Sequence, residues 1–201
     1  YVLPATSCDL PALSDGTWSV SAKLTDPAGN QSTAGTALSM VVDGTAPSAP
    51  GLPDVAAASD SGTSSTDNNT SDTTPTMSAT GGSNGDTMTF TATNGGTTKT
   101  CSYVLPATSC DLPALTDGTW SVSATLTDPA GNVSPASAAL PLVVDTTAPS
   151  APVAPDLVAA SDTGSSSTDD LTSDNTPAMS LPGATSGDTV TFTATSGATT
   201  K

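Results

Sequence analysis

Almost every residue of this chain has a counterpart 102 positions away, and that spacing restricts the fold more than any other feature. Tyr1 returns as Tyr103, Trp18 as Trp120, Asp26 as Asp128, Asp72 as Asp174 and Phe90 as Phe192, all in one register. No insertion or deletion breaks it, and 72 of the 99 comparable positions are identical. A period of ~100 residues is the size of a whole domain, far longer than a solenoid unit of ~20–50, so the chain reads as a string of beads. Repeating a domain this faithfully serves reach or valency better than catalysis.

Proline marks the junctions between beads. Asp43-Gly44-Thr45-Ala46-Pro47-Ser48-Ala49-Pro50 and Asp145-Thr146-Thr147-Ala148-Pro149-Ser150-Ala151-Pro152 are connectors stiffened by residues that lack a backbone donor. Residues 1–45 are then the second half of one domain, 46–147 a complete domain, and 148–201 the first half of a third. Two full periods (2 × 102 = 204) exceed the 201 residues by three, and the missing three correspond to Thr100-Cys101-Ser102. The expectation is a window on a longer array.

Composition excludes several classes. Nineteen Asp, no Glu, three Lys, no Arg and no His give a net charge of −16. A chain this acidic does not seek phosphate backbones, so nucleic acid is excluded as a partner. Nor is it a solvated acidic tail, because apolar residues make up 35% and alternate along defined segments. No apolar run approaches the ~20 residues of a membrane span, so membrane insertion is not expected.

The alternation identifies strands. In Gly118-Thr119-Trp120-Ser121-Val122-Ser123-Ala124-Thr125-Leu126-Thr127 the apolar residues take every second position, as in a half-buried antiparallel strand. Residues 87–92, 189–192 and the stretch ending in Leu140–Val144 follow the same pattern, with further strands expected at 54–60, 74–80, 97–105 and 111–115. Gly85-Asp86, Asn94-Gly95-Gly96, Asp117-Gly118 and Asp128-Pro129-Ala130-Gly131-Asn132 supply turn residues between them. About seven short strands per ~100 residues, without helical periodicity, predict an all-β fold of tandem immunoglobulin-like sandwiches.

Such beads have thin cores, with one Trp, one Phe and one Tyr per period, so further restraint is expected. One candidate is a disulfide between Cys101 and Cys110; closing a loop of about ten residues is worth ~2–3 kcal/mol in the chain-entropy model. The register partner of the odd Cys8 falls before Tyr1, so Cys8 is expected to pair there. The competing reading is three free buried thiols, although paired cysteines in a small acidic β-repeat fit an oxidising setting.

Calcium is the other candidate. Residues 60–72 form a long polar loop with Asp60, Asp67 and Asp72, and its copy runs from Asp162 through Asp169 and Asp170 to Asp174. Hard oxygen ligands in a flexible loop are what Ca²⁺ takes, and the spacing is not that of an EF-hand. Alternating strands would bring this loop to the pole that also carries Asp145. An acidic solvated loop held by Asx-turns is the competing reading. Asp26 and Asp128 open Asp-Pro-Ala-Gly-Asn turns, where a structural role is favoured over a metal role; Asp15, Asp86, Asp117 and Asp188 also read as turn residues. Asn30-Gln31-Ser32, Asn68-Asn69-Thr70, Asn69-Thr70-Ser71 and Asn132-Val133-Ser134 match the N-glycosylation pattern, which arises often by chance in a Ser/Thr-rich chain. Catalysis lacks its parts: there is no His or Glu, the Lys residues have no evident pocket, and paired cysteines are not nucleophiles.

The Val-Val-Asp-Thr-Thr-Ala-Pro junction, the polar loop from Ser161 to Pro177, the Gly-Thr-Trp-Ser-Val strand and Leu-Thr-Asp-Pro-Ala-Gly-Asn together resemble the bacterial Ig-like repeats of giant surface adhesins and biofilm-associated proteins. The resemblance implies an extracellular stalk stiffened by calcium near the domain junctions. Carried over by position, it implies ligands at Asp60, Asp67, Asp72 and Asp145, with Asp162, Asp169 and Asp174 as the next copy. The cysteine pair departs from many such repeats, which have none.

Two functions follow as alternatives. One is a passive extender that holds a distal adhesive domain away from the cell, its partners being adjacent repeats of the same chain. The other is a segment of a self-assembling extracellular filament or surface layer, with lateral contacts between copies and with Lys201 of one copy close to Tyr1 of the next. A carbohydrate-binding module would need exposed aromatics, and these alternate with polar residues as core positions do.

Overall fold

The computed structural model describes residues 7–183 and 187–200. Tyr1 and Lys201, whose approach between copies is the mark of the filament, lie outside the described residues. The chain divides into two compact units, Tyr1–Thr147 and Ala148–Lys201.

The complete repeat in the first unit carries eight strands: β3 (Asp54–Val55), β4 (Asn69–Thr70), β5 (Thr76–Ser78), β6 (Thr87–Asn94), β7 (Thr97–Val104), β8 (Cys110–Asp111), β9 (Gly118–Thr127) and β10 (Leu140–Val144). They form a five-stranded sheet in the order β4-β10-β9-β6-β7 and a three-stranded sheet in the order β3-β5-β8. Every strand pair is antiparallel except β4 with β10, which run parallel. No helix is present among the described residues.

The period-2 pattern decides which face is buried. From β6, Met88, Phe90 and Ala92 point inward; from β9, Trp120, Val122, Ala124 and Leu126; from β10, Leu140, Leu142 and Val144. Val55 and Met77 of the smaller sheet, with Leu112 and Leu115, close the core from the other side. Phe90 and Tyr103 pack with ring centroids 6.1 Å apart and planes tilted by 34°. The Trp120 indole is buried but keeps its donor satisfied, giving its N–H to the Thr116 carbonyl at 2.9 Å.

The structure trims several expected strands. The segment 54–60 is extended only at Asp54–Val55, because Ser59 and Asp60 turn back to donate to the Ala56 carbonyl at 2.7 and 3.0 Å. Of the segment 111–115 only Asp111 lies in a strand, β8, although Leu112 and Leu115 still donate to the Pro75 and Thr73 carbonyls at 3.0 and 2.8 Å. The eighth strand, β4, lies inside the segment expected to be entirely loop.

Before the complete repeat, β1 (Gly16–Val20) and β2 (Leu38–Val42) form an antiparallel pair in the same register as β9 with β10. In the second unit, β11 (Asp156–Leu157) pairs with β12 (Met179–Ser180), and β13 (Thr195–Ser196) with β14 (Thr199–Thr200). Residues 189–192 are not a strand there, although their counterpart in β6 is. That counterpart is held by β9 on one side and β7 on the other, whereas no strand pairs with 189–192 among the described residues of the second unit.

Candidate functional site

The polar loop begins where β3 ends. Its backbone is shaped by short side chains that bond nearby amides, the habit that keeps Ser, Thr, Asp and Asn in turns. Thr70 gives its hydroxyl to the Ser59 carbonyl at 2.5 Å, and Ser61 Oγ lies 2.9 Å from Ser71 Oγ and accepts the Ser71 N–H. Gly62 permits the fold-back, since a Cβ there would sit 3.0 Å from the Asn69 carbonyl oxygen. Asn68 adopts φ 59°, a left-handed conformation that Asn tolerates better than most residues.

Asp60 is the inner residue of this loop, 4% exposed. Its Oδ2 accepts the Asn68 N–H at 3.1 Å, while Oδ1 is buried without a hydrogen-bond partner. The second copy repeats the arrangement: Asp162 is 6% exposed, Oδ2 accepts the Asp170 N–H at 3.4 Å, and Oδ1 has no partner. Asp170 takes the same left-handed conformation as Asn68, at φ 56°. A buried carboxylate oxygen without a partner is costly, and the same atom is orphaned at the same position in both copies.

The other candidate ligands are placed differently. Asp67 Oδ1 accepts the Asn69 N–H at 3.1 Å, Asp72 Oδ1 the Thr74 N–H at 2.8 Å, and Asp145 Oδ1 the Thr147 N–H at 2.9 Å. Each caps the amide two residues on. Asp169 and Asp174 do the same for Leu171 and Thr176. Burial acts to raise Asp72, but hydrogen bonds from Thr74 and the Ser59 hydroxyl outweigh it and hold the carboxyl below its ordinary value. The Thr176 N–H and the Ser161 hydroxyl likewise hold Asp174 low.

Asp145 does stand beside the loop. The parallel pairing of β4 with β10 brings the Val143 N–H to the Asn68 carbonyl and the Asp145 N–H to the Thr70 carbonyl, both at 2.9 Å. Among the described residues, however, no three Asp or Cys side chains gather closely enough to hold one metal ion together. What the described residues offer is one orphaned carboxylate oxygen, Asp60 Oδ1, a donor of the hard type that Ca²⁺ takes.

Sequence reasoning missed a second set of junction contacts. Asp117, read as a turn residue, accepts the Thr146 N–H at 3.2 Å and hydroxyl at 2.8 Å on Oδ1, and the Thr147 hydroxyl at 3.0 Å on Oδ2. Asp15 does the same for Gly44 and Thr45. The threonine hydroxyls hold Asp117 below the usual carboxylate range, and the Thr45 hydroxyl with the Gly44 N–H does so for Asp15. Each therefore fastens the start of a junction to the turn before β9 or β1. The available signal was the recurrence of Asp-Gly about 29 residues before each Asp-x-Thr.

The disulfide links the two sheets of the sandwich. Cys101 on β7 and Cys110 on β8 have sulfurs 2.12 Å apart and Cα atoms 6.0 Å apart. Cys8 is exposed and free within the described residues. No described helix is long and apolar enough to cross a membrane.

A search of curated proteins finds no match. The family model for the bacterial Ig-like domain matches residues 46–146, the segment that folds as the eight-stranded sandwich. That match covers half of the chain and the other half repeats it in register, so the chain belongs to the bacterial Ig-like domain family.

Proposed function

We propose that these repeats are the extender of a large extracellular bacterial adhesin, a stalk with no catalysis of its own, stiffened by calcium and by the Cys101–Cys110 disulfide. The observation that carries the calcium reading is the buried, unpartnered Oδ1 of Asp60, repeated at Asp162. Asp60 and Asp162 anchor the ion, while Asp67, Asp72, Asp145, Asp169 and Asp174 set the backbone around it and add negative potential. A bound Ca²⁺ supplies the charge that the orphaned oxygen lacks, and the residues of the loop give up little of their existing hydrogen bonding to receive it.

The stiffening follows from where the loop is attached. Asp145 and Thr70 share a backbone hydrogen bond, so ordering the loop also orders the first residue of the junction. Asp117 independently fastens Thr146 and Thr147. The disulfide supports an oxidising, extracellular setting.

Calorimetric scans of the full chain in excess EDTA and in millimolar Ca²⁺ test this reading. For a dissociation constant about tenfold below the calcium concentration, binding to the folded state alone adds about 1.4 kcal/mol. That corresponds to a rise of roughly 5–10 °C in Tm for a bead of this size. Identical scans would overturn the ion site.

A further inference from the structure

The Asp-Pro-Ala-Gly-Asn turn is built more rigidly than a loop between strands requires. Asp128 accepts the Gly131 N–H on its carbonyl at 3.0 Å and gives its own N–H to the Asn132 carbonyl at 3.1 Å. Its Oδ1 accepts the backbone N–H groups of Ala130 and Asn132 at 2.9 and 2.8 Å, and its Oδ2 accepts the Asn132 side-chain amide at 2.9 Å. Asp26 and Asn30 form the same turn, with the side-chain contact at 2.8 Å. The hydrogen bonds from the asparagine side chain hold both carboxyls below their ordinary value.

Asn132 differs from Asn30 in one respect. Its Nδ2 also donates to the backbone carbonyl of Asp43 at 2.9 Å, 89 residues away and on the far side of the proline-rich connector. The acceptor is itself fixed, since Asp43 directly follows the last strand of the preceding repeat and its Oδ1 accepts the Thr45 N–H at 3.1 Å. Asp145, at the same position of the complete repeat, makes the same bond to Thr147.

We propose that Asn132 is a bead-to-bead clasp: its second amide N–H recognises the carbonyl of the aspartate that directly follows the preceding bead's last strand. Asp128 is the positioning residue. A primary amide carries two donors in one plane, so it can serve the Asp128 carboxylate and a carbonyl together. Aspartate there would have no proton to give, and alanine nothing at all. Because Asn30 holds the same pose through its own turn, the donor is set before the neighbouring bead arrives, which lowers the ordering cost of the contact. The proposal rests on the reading of the beads as a serial stalk and adds to it a contact that does not depend on calcium.

The full chain in a Cys8→Ser background, spin-labelled at positions 39 on β2 and 121 on β9, gives the distance distribution across this contact, in calcium and in EDTA. Asn132→Ala is expected to reduce the clasped-to-open ratio about fivefold and to broaden the distribution, as loss of one ordinary hydrogen bond would. Asp128→Ala should move it in the same direction, and Asn30→Ala should leave it unchanged. Through-bond coupling between Asn132 Nδ2 and the Asp43 carbonyl carbon, seen by NMR in the unlabelled chain, should vanish only in the Asn132 variant and weaken in the Asp128 variant. A narrow distribution unaltered by Asn132→Ala overturns the clasp while leaving the stalk intact. A distribution already broad in the unaltered chain, with and without calcium, overturns the stiff stalk and the clasp together.

Discussion

Trp18 and Trp120 occupy the same position of successive repeats and make the same bond, each giving its indole N–H to the carbonyl four residues earlier at 2.9 Å, yet Trp120 is 1% exposed and Trp18 36%. The local turn thus forms without the rest of the sandwich, and the burial does not. Met77 of the smaller sheet and Phe90 on the neighbouring strand of its own sheet belong to the core that buries Trp120.

The two tryptophans should therefore respond differently to truncation. Trp120→Ala is expected to cost about 3–5 kcal/mol, a large share of the ~5–15 kcal/mol that a bead of this size holds in total, while Trp18→Ala should barely alter the unfolding transition. Urea titration followed by far-UV circular dichroism distinguishes them, and equal losses would contradict the burial difference.

At Asp60 the sign of a substitution should depend on calcium. Asp60→Asn removes a buried charge but keeps an oxygen for the Asn68 N–H, so in EDTA the variant should be as stable as the original chain or more so. In millimolar Ca²⁺ it should be the less stable of the two, having lost the calcium response of its own loop. Thermal scans in the two buffers read both halves of this expectation, and a variant less stable in EDTA would refute it.

The disulfide should contribute through the unfolded chain. Removing it by the paired change Cys101→Ala and Cys110→Ala is expected to lower stability by about 2–3 kcal/mol, the chain-entropy value for so short a loop. Exposing β7 and β8 to a reductant should give a matching loss, measured by the urea midpoint with and without dithiothreitol.

Acid should undo the turns and junction staples. Asp15, Asp26, Asp72, Asp117, Asp128 and Asp174 all have carboxyls held below the ordinary value of 3.8. A depressed folded value stabilises above the unfolded one and loses that contribution as pH falls through the folded one. The melting temperature should therefore drop once pH passes below about 4, and Asp117→Asn should reduce the size of that drop. The −16 charge acts oppositely between pH 7 and 4, where partial neutralisation relieves self-repulsion. A melting temperature that keeps rising below pH 3 would show that repulsion outweighs the lost hydrogen bonds.

The strands most legible in the sequence were those with a long alternating run. In β6 and β9 each buried residue is flanked by Ser or Thr, and burial follows that pattern over the full length of both. Residues 189–192 carry the same pattern and form no strand, because alternation specifies a face but not the neighbour that must bond its backbone. At the site, the repeated polar loop and its position beside Asp145 could be read from the order of strands. The inward turn of Asp60 could not, since it depends on Ser59 and Asp60 folding back onto Ala56, in a stretch whose composition suits a strand equally well. Asp117 escaped notice for a related reason: an Asp-Gly pair has a sufficient local explanation as a turn, and its threonine partners lie about 29 residues away.

The parallel seam between β4 and β10 also determines how a bead answers tension. A pull delivered through the junction arrives at Thr146, two residues beyond the end of β10, a strand bonded to β9 along one edge and to β4 along the other. Drawing β10 out lengthwise would require its cross-strand bonds to β9 to slip together, with those at Asn68 and Thr70 breaking in the same movement. Strands sheared in parallel resist far better than strands peeled apart one rung at a time. A thread of such beads would transmit a tug from its far end to its root before any single bead gave way.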